Sequence, residues 1–352
     1  MRAVKNVSTS LSVRMKELIQ SIDDNLGTSV NSIDSITNDL NVLAINARIQ
    51  AARIGAAGTG FKVIAHEMES LVSKTRGSTV DLKKDVVQTI HELENLQTYI
   101  ATQVRGQRLV HSAETCMDII DRNLYERSCD VRWWATGNSV YEAALDPTNR
   151  AKLNAASQRM TVILESYTVY FDLVLCDIKG TIICNGRPER FKSVGIDVSK
   201  SEWFTNALKT TYSSEFSVEG PFVSPLANGK PVLMYSCGVR SQGALVGVFG
   251  VVFNWDNLAE KLLKQIHELL ISETEFNVEL WICRQDGTVV ASTDPQWRDR
   301  KIPFNDINSL CSETKHFHLA DDSTYLVAVA PSQGYETYKT EWITVIAEYF
   351  SH

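Results

Sequence analysis

Small or apolar residues recur mostly at steps of three and four through roughly the first hundred positions of the chain. Before residue 50 they are Leu11, Met15, Leu18, Ile22, Leu26, Val30, Ile33, Ile36, Leu40, Leu43 and Ala47. After residue 60 they are Phe61, Ile64, Met68, Leu71, Thr75, Leu82, Val86, Ile90, Leu93, Leu96, Ile100 and Val104. This is the period of a coiled coil. It predicts two helical arms of roughly 45 residues, each about 65 Å long.

Three glycines separate the arms. Gly55, Gly58 and Gly60 each cost about 1 kcal/mol relative to Ala inside a helix, so together they favour a turn. We therefore predict an antiparallel helical hairpin. Since a single hairpin leaves an apolar stripe exposed on each arm, we expect a parallel homodimer, which forms a four-helix bundle. The alternative is an intramolecular bundle with residues 109–167.

The hydrophobic pattern changes after residue 167. Helical spacing continues over 109–142, and a second helix is expected from the Asp146-Pro147 break to about Ser166. Alternating segments separated by turn residues then predict antiparallel strands. These strands are expected at 168–177, 181–186, 215–225, 230–240, 244–254, 277–284, 288–293, 316–320, 324–331 and 341–349, with short helices over 199–210 and 254–270.

These elements predict an α+β fold in four parts. The helical hairpin occupies residues 1–108, with its tip near residues 53–60, and connecting helices occupy residues 109–167. Two PAS-like antiparallel-sheet modules follow, a first module over 168–262 and a second, smaller module over 263–352.

Composition excludes several classes of function. The net charge is −7 without a Lys/Arg block, which argues against nucleic acid as a partner. No apolar run reaches the roughly 20 residues that span a bilayer, and no signal-peptide core is present. The seven cysteines include no Cys-x-x-Cys pair and indicate free thiols in a reducing compartment. We therefore expect a soluble cytoplasmic protein.

The segment joining the two arms carries a specific motif. Residues 41–61 read Asn-Val-Leu-Ala-Ile-Asn-Ala-Arg-Ile-Gln-Ala-Ala-Arg-Ile-Gly-Ala-Ala-Gly-Thr-Gly-Phe. This segment resembles the signalling tip of bacterial methyl-accepting chemotaxis receptors, a tip that packs into trimers of dimers and binds a histidine kinase and its coupling adaptor. The resemblance implies the same partners here. It places the contact residues at Val42, Leu43, Asn46, Gln50, Arg53 and Val63, with Phe61 on the matching face of the returning helix.

The tip also departs from that family. Gln50 and Ala56 replace two family glutamates, Thr59 replaces an arginine, and Arg48 replaces an alanine. Since the chain begins about 50 residues before the turn, we do not expect methylation helices. The lost charges motivate a second hypothesis, a dimeric ligand-binding scaffold with a degenerate tip that does not couple to the kinase. Restoring the two glutamates would discriminate between the hypotheses.

Residues 110–350 resemble the double Cache sensor domain of bacterial receptors, in which one long helix precedes two unequal sheet modules. The resemblance implies that a small molecule binds in the first module, under the short helix. The candidate ligand-binding residues are Arg187, Asp197, Trp203, Phe204, Tyr235, Phe253 and Asp256. The alternative is that the aromatic side chains form ordinary core and the charged ones ordinary surface.

The amino-acid-binding subset of these domains carries Arg-x-Trp-Tyr-x-Asp in the short helix. The corresponding residues here are Ser201, Trp203, Phe204 and Asn206, so both charged anchors are missing. We therefore do not expect an amino acid held through that motif. His316 and His318 lie two residues apart on a predicted strand, but no third metal ligand accompanies them. We expect no metal, no cofactor and no enzymatic activity.

Overall fold

The computed structural model describes residues 2–350 except 273, 299, 305–306, 313–315 and 321–323, and it describes side chains from residue 14 onward. Leu11, one of the predicted heptad residues, lies outside the described side chains. The chain divides into two compact units, Met1–Arg105 and Gly106–His352.

The first unit is a helical hairpin, as predicted. Helix α1 spans Arg2–Ile54, a short 3₁₀ turn spans Gly55–Gly58, and helix α2 begins at Thr59. Every seventh residue from Val30 to Ala51 and from Ala65 to Thr79 is at most 7% exposed, which marks the seam where the arms meet. This covered seam contains small residues that let two helices approach closely; it consists of Val30, Thr37, Ala44, Ala51, Ala65, Val72 and Thr79.

The second unit begins within α2, which continues without a break to Ala135. Helices α3 (Asn138–Leu145) and α4 (Arg150–Ser166) follow. The side chain of Asn149 accepts hydrogen bonds from the Ala151 and Lys152 amides and so caps α4. The break predicted at Asp146-Pro147 is therefore confirmed, and the predicted boundary at 108/109 falls inside a continuous helix.

Two five-stranded antiparallel sheets complete the second unit. The first contains β1 (Tyr170–Asp177), β2 (Ile182–Asn185), β3 (Ser217–Ser224), β4 (Lys230–Ser241) and β5 (Ala244–Phe253), with helix α5 (Glu202–Leu208) between β2 and β3. Helix α6 (Trp255–Ile271) leads to the second, which contains β6 (Asn277–Arg284), β7 (Val289–Ser292), β8 (Phe317–Leu319), β9 (Tyr325–Pro331) and β10 (Trp342–Tyr349), with helix α7 (Ile307–Ser312) before β8.

Both sheets share one topology. The strand orders are β2-β1-β5-β4-β3 and β7-β6-β10-β9-β8, so the second module repeats the first. One face of each sheet contributes to a common core that includes Met117, Ile120 and Leu124 of α2. The opposite face of each sheet has a core of its own, beneath α5 in the first module and α7 in the second. The predicted α+β fold is confirmed, and α7 is a helix that the sequence pattern did not predict.

Candidate signalling tip and candidate ligand site

The tip of the hairpin depends on two of its three glycines. Gly55 has a φ of 68°, a left-handed conformation that favours glycine. A Cβ at Gly58 would collide with the backbone carbonyl of Ala51. Gly60, by contrast, lies in the first turn of α2, and a Cβ there would meet no atom within 4 Å. The turn therefore requires Gly55 and Gly58, whereas Gly60 is already helical.

All six predicted contact residues lie on the surface of the hairpin. The apolar ones are largely exposed, with Val42 at 57%, Leu43 at 56% and Val63 at 59% of their full accessible area. Asn46, Gln50 and Arg53 are exposed as well. In the single chain these side chains are thus available to another molecule.

Two arginines of the hairpin pair with residues of the other arm. Arg48 Nη1 lies 2.6 Å from Glu69 Oε1, and Arg76 Nη2 donates to Asn38 Oδ1 at 2.6 Å. Arg48 is one of the positions where the sequence departs from the chemoreceptor pattern. Its partner Glu69 on the returning arm shows that the hairpin accommodates this departure within its own structure.

The structure separates the predicted ligand-binding aromatics onto two faces of the first sheet. Trp203 and Phe204 are 2% and 1% exposed and belong to the core beneath α5. Tyr235 and Phe253 are fully buried on the opposite face, in the core shared with α2. Successive strand residues point to opposite faces, so the one pocket predicted from these four aromatics does not form. Tyr235 and Phe253 fit the alternative interpretation, in which these aromatic side chains form ordinary hydrophobic core.

The predicted polar anchors have other roles in the fold. The Arg187 guanidinium donates to the carbonyls of Tyr170, Phe171 and Leu164 at 2.8, 2.8 and 2.6 Å. It therefore ties the β2 end of the sheet to the end of α4 and the start of β1.

Asp197 and Asp256 make local contacts. Asp197 is exposed and accepts from the Ser199 amide at 2.8 Å, which lowers the pKa of its carboxyl. Asp256, on the first turn of α6, lies 2.5 Å from Arg298 Nη2. Neither side chain reaches the core beneath α5.

A buried carboxylate that sequence reasoning missed organises the same edge of the first sheet. Asp172 is fully buried, and its oxygens accept from the amides of Leu173, Gly186 and Arg187 and from Asn185 Nδ2. Burial raises the pKa of Asp172 to about 6, and these hydrogen bonds partly offset that effect. An Asp in an otherwise apolar strand was the signal that could have revealed it.

A second polar cluster joins α2 to the first sheet. Arg127 is 5% exposed and lies over the rings of Tyr170 and Phe253 at 5.2 and 5.7 Å. Its Nε is 3.2 Å from Asp130 Oδ2, which also accepts a hydrogen bond from the Tyr170 hydroxyl. Phe253 is therefore a partner of the long helix rather than a ligand contact.

Two further observations concern a metal site and a membrane-spanning helix. Within the described residues, no group of three or more His, Cys, Asp or Glu side chains is placed to hold a metal ion. None of the described helices combines the length and apolar character that crossing a bilayer requires.

Comparison with known proteins identifies both parts of the chain. A Cache domain matches residues 143–349, which is more than half of the sequence. The chain belongs to the Cache domain family. The methyl-accepting chemotaxis protein (MCP) signalling domain matches residues 2–152. Both resemblances predicted from the sequence are therefore confirmed.

Curated relatives share a short segment with this chain. The methyl-accepting chemotaxis protein McpS of Pseudomonas putida is 33% identical over 97 residues, which cover 28% of this chain and 15% of that protein. Protein PilJ of Pseudomonas aeruginosa is 33% identical over 116 residues, covering 32% of this chain and 17% of that protein. The aligned segment is thus a small part of each relative.

Solved sensor and ligand-binding domains share the fold of most of the chain. The sensor domain of the Vibrio cholerae histidine kinase DctB superposes with a TM-score of 0.51 at 12% identity, covering 72% of this chain and all of that domain. The ligand-binding domain of the Campylobacter jejuni chemoreceptor Tlp3, in complex with L-norvaline, gives a TM-score of 0.52 at 13% identity, covering 70% of this chain and 92% of that domain. At these identities the likeness shows the shared fold alone.

Proposed function

We propose that this chemoreceptor-like transducer senses a small molecule through its Cache domain and controls a histidine kinase, with its coupling adaptor, through the hairpin tip. The observation that carries the proposal is the continuity of α2. The same helix forms the returning arm of the hairpin and supplies Met117, Ile120 and Leu124 to the Cache core. A change in that core acts on a helix that also carries tip residues.

The apolar surface of the hairpin supports a homodimer, which the chemoreceptor family extends to a trimer of dimers. Ile36 and Leu43 lie seven residues apart on α1 and are 59% and 56% exposed; Ile64 and Leu71 repeat this spacing on α2, at 55% and 56%. These four residues, the exposed stripe, flank the covered seam. A second hairpin that packed on this stripe would bury it and complete a four-helix bundle.

Signalling needs a ligand that prefers one of two states of the bundle. A ligand that binds both states equally shifts nothing, however tightly it binds. A preference of about 100-fold corresponds to about 2.7 kcal/mol, which is enough to bias a marginally packed bundle.

A cytoplasmic location is part of the same proposal. All seven cysteines are free thiols, and five of them are buried. Free thiols persist in reducing compartments. Burial raises the pKa of the Cys116, Cys184, Cys237 and Cys283 thiols to about 12, which keeps them protonated and unreactive.

Co-sedimentation with the host's coupling adaptor and chemotaxis kinase tests the output. The proposal expects the full chain to pellet with both proteins and to change the rate of kinase autophosphorylation. A folded dimer that leaves the kinase unbound and its rate unchanged would refute the proposed coupling.

The altered tip favours a second candidate, a ligand-binding dimeric scaffold that does not couple to the kinase. Gln50 and Ala56 stand where the family carries glutamates, and Arg48 is engaged by Glu69 of the returning arm. A chain carrying Gln50→Glu and Ala56→Glu separates the two candidates. Gain of adaptor binding over the unmodified chain supports a degenerate tip, and unchanged binding opposes it.

A further inference from the structure

Basic and acidic residues are separated along the first arm of the hairpin and its tip. Residues 40–66 include Arg48, Arg53 and Lys62 but no Asp or Glu, although the whole chain has a net charge of −7. Residues 17–39 of α1 have the opposite character, since they contain no Lys or Arg and five acidic residues, Glu17, Asp23, Asp24, Asp34 and Asp39. An acidic molecule is therefore attracted to the tip and repelled by the segment of α1 that precedes it.

Arg53 and Lys62 carry charge that the hairpin itself does not neutralise. Arg48 pairs with Glu69 of the returning arm, whereas Arg53 and Lys62 are exposed and form no ion pair within the described part of the chain. Arg53 lies in the last turn of α1, where the helix dipole favours a positive charge, and Lys62 lies in the first turn of α2, where the dipole opposes it. The stability of the hairpin therefore accounts for Arg53 but not for Lys62.

Apolar side chains accompany these charges on the surface of both arms. Val42 and Ile49 lie seven residues apart on α1, and Val63 follows Lys62 on α2; the three are 57%, 47% and 59% exposed. The turn over residues 55–60 contains only Gly, Ala and Thr, so it has no large apolar side chain to insert into a bilayer. A protein surface, which can cover the sides of both arms, therefore fits this tip better than a membrane does.

We propose that the hairpin tip binds a protein whose docking surface combines an apolar patch with carboxylates. The apolar patch covers Val42, Ile49 and Val63, and the carboxylates pair with Arg53 and Lys62. This inference rests on the proposed function, because it names the chemistry of the partner at the same tip. Since complementary charge governs encounter and specificity more than affinity, the acidic surface mainly selects the partner and directs it to the end of the hairpin.

Two helical peptides test this chemistry without a kinase or an adaptor. They share the same leucines on one face and carry either glutamates or lysines on the other, and each is titrated against the full chain by isothermal calorimetry. We expect the glutamate peptide to bind at least about tenfold more tightly than the lysine peptide, with an affinity that falls as NaCl is added, since exposed charges are screened. Equal binding of the two peptides, or no binding of the glutamate peptide, would overturn the proposal.

Two matched double variants locate the binding. Arg53→Glu combined with Lys62→Glu should weaken binding of the glutamate peptide at least about fivefold, since two exposed charge pairs are lost and replaced by repulsion. Lys83→Glu combined with Lys84→Glu makes the same change in net charge at exposed positions about 30 Å further along α2. This control should leave binding nearly unchanged, because that distance exceeds the range of charge in salt solution. Equal losses in the two variants would refute the tip as the site.

Two further measurements separate the class of partner from the proposed output. Binding to phosphatidylglycerol vesicles but not to the glutamate peptide would assign the tip to a membrane and contradict the proposal. Co-sedimentation with the coupling adaptor and kinase is then repeated with the Arg53→Glu and Lys62→Glu variant. Loss of pelleting supports the acidic partner surface, and unchanged pelleting refutes it while the kinase coupling stands. If the unmodified chain does not pellet, only the kinase coupling is refuted, and the peptide titration decides the inference.

Discussion

The hydroxyl groups of Tyr235 and Tyr338 lie 3.1 Å apart and join the two sheet modules. Tyr235 is on β4 of the first module, and Tyr338 is on the loop between β9 and β10 of the second. The ring of Phe216 stacks on both, with centroid distances of 6.4 and 5.9 Å. Both tyrosines are buried, so this hydrogen bond is shielded from water and links the modules directly.

Removing either hydroxyl should destabilise the Cache part of the chain. Tyr235→Phe or Tyr338→Phe leaves a buried hydroxyl without its partner, at a cost of about 1–3 kcal/mol. The double variant should cost less than the sum of the two, because both partners are then absent. Urea unfolding measures this double-mutant cycle, and Tyr212→Phe, at a side chain that is 67% exposed, is the control. Additive losses would show that the two hydroxyls do not interact.

Alanine substitution at Gly58 and at Gly60 should change the stability of the hairpin in opposite directions. Gly58→Ala forces a Cβ against the Ala51 carbonyl and should cost about 1–3 kcal/mol, as overpacked sites do. Gly60→Ala meets open space in a helical turn and should stabilise the hairpin by up to about 1 kcal/mol. Amide hydrogen exchange in α1 near the turn reports both effects. Equal responses would contradict the different roles assigned to the two glycines.

Charge on the exposed stripe should prevent the proposed dimer. Leu43→Lys places an ammonium where the second hairpin would pack and should raise the dimer dissociation constant at least about tenfold, which is about 1.4 kcal/mol. Ser35→Lys adds the same charge at an exposed position two residues before seam residue Thr37, about 200° around the helix from it, and should have little effect. Sedimentation equilibrium measures both variants. A dimer that tolerates Leu43→Lys must use another surface.

The buried carboxyl of Asp172 should make stability depend on pH. Its pKa is raised to about 6 in the folded chain from the ordinary 3.8, so the folded state holds the proton more strongly than the unfolded state. The stabilisation that the protonated Asp172 carboxyl gives to the folded chain is complete below pH 4 and is lost as the pH rises through 6. Relative to Asp172→Asn, the unmodified chain should lose up to about 3 kcal/mol of unfolding free energy between pH 4 and 7.

Asp197 provides a control of opposite sign. Hydrogen bonds from Ser199 lower the pKa of this exposed carboxyl, so its small contribution is present at neutral pH and is lost on acidification. Urea unfolding compares the two variants with the unmodified chain, between pH 4 and 7 for Asp172→Asn and below pH 4 for Asp197→Asn. If the difference in unfolding free energy between the unmodified chain and Asp172→Asn stays constant from pH 4 to 7, the Asp172 carboxyl keeps an ordinary pKa.

The sequence by itself determined the elements and their order. Heptad spacing predicts both arms of the hairpin, and glycine clustering places its turn, because these patterns reflect interactions between residues close along the chain. Alternation and turn residues similarly predict the ten strands. The candidate tip contact residues come instead from the resemblance of one continuous motif to the chemoreceptor tip, and they stay a prediction.

Only the tertiary structure decided which residues meet. Tyr235 and Trp203 are both buried aromatics, yet they lie on opposite faces of one sheet, and strand pairing and helix placement settle that arrangement. Asp172 gathers donors from β1 and from the segment after β2, and Asp121 of α2 accepts a hydrogen bond from Ser332, which lies 211 residues later in the sequence. Such sites depend on long-range packing, which local periodicity does not encode.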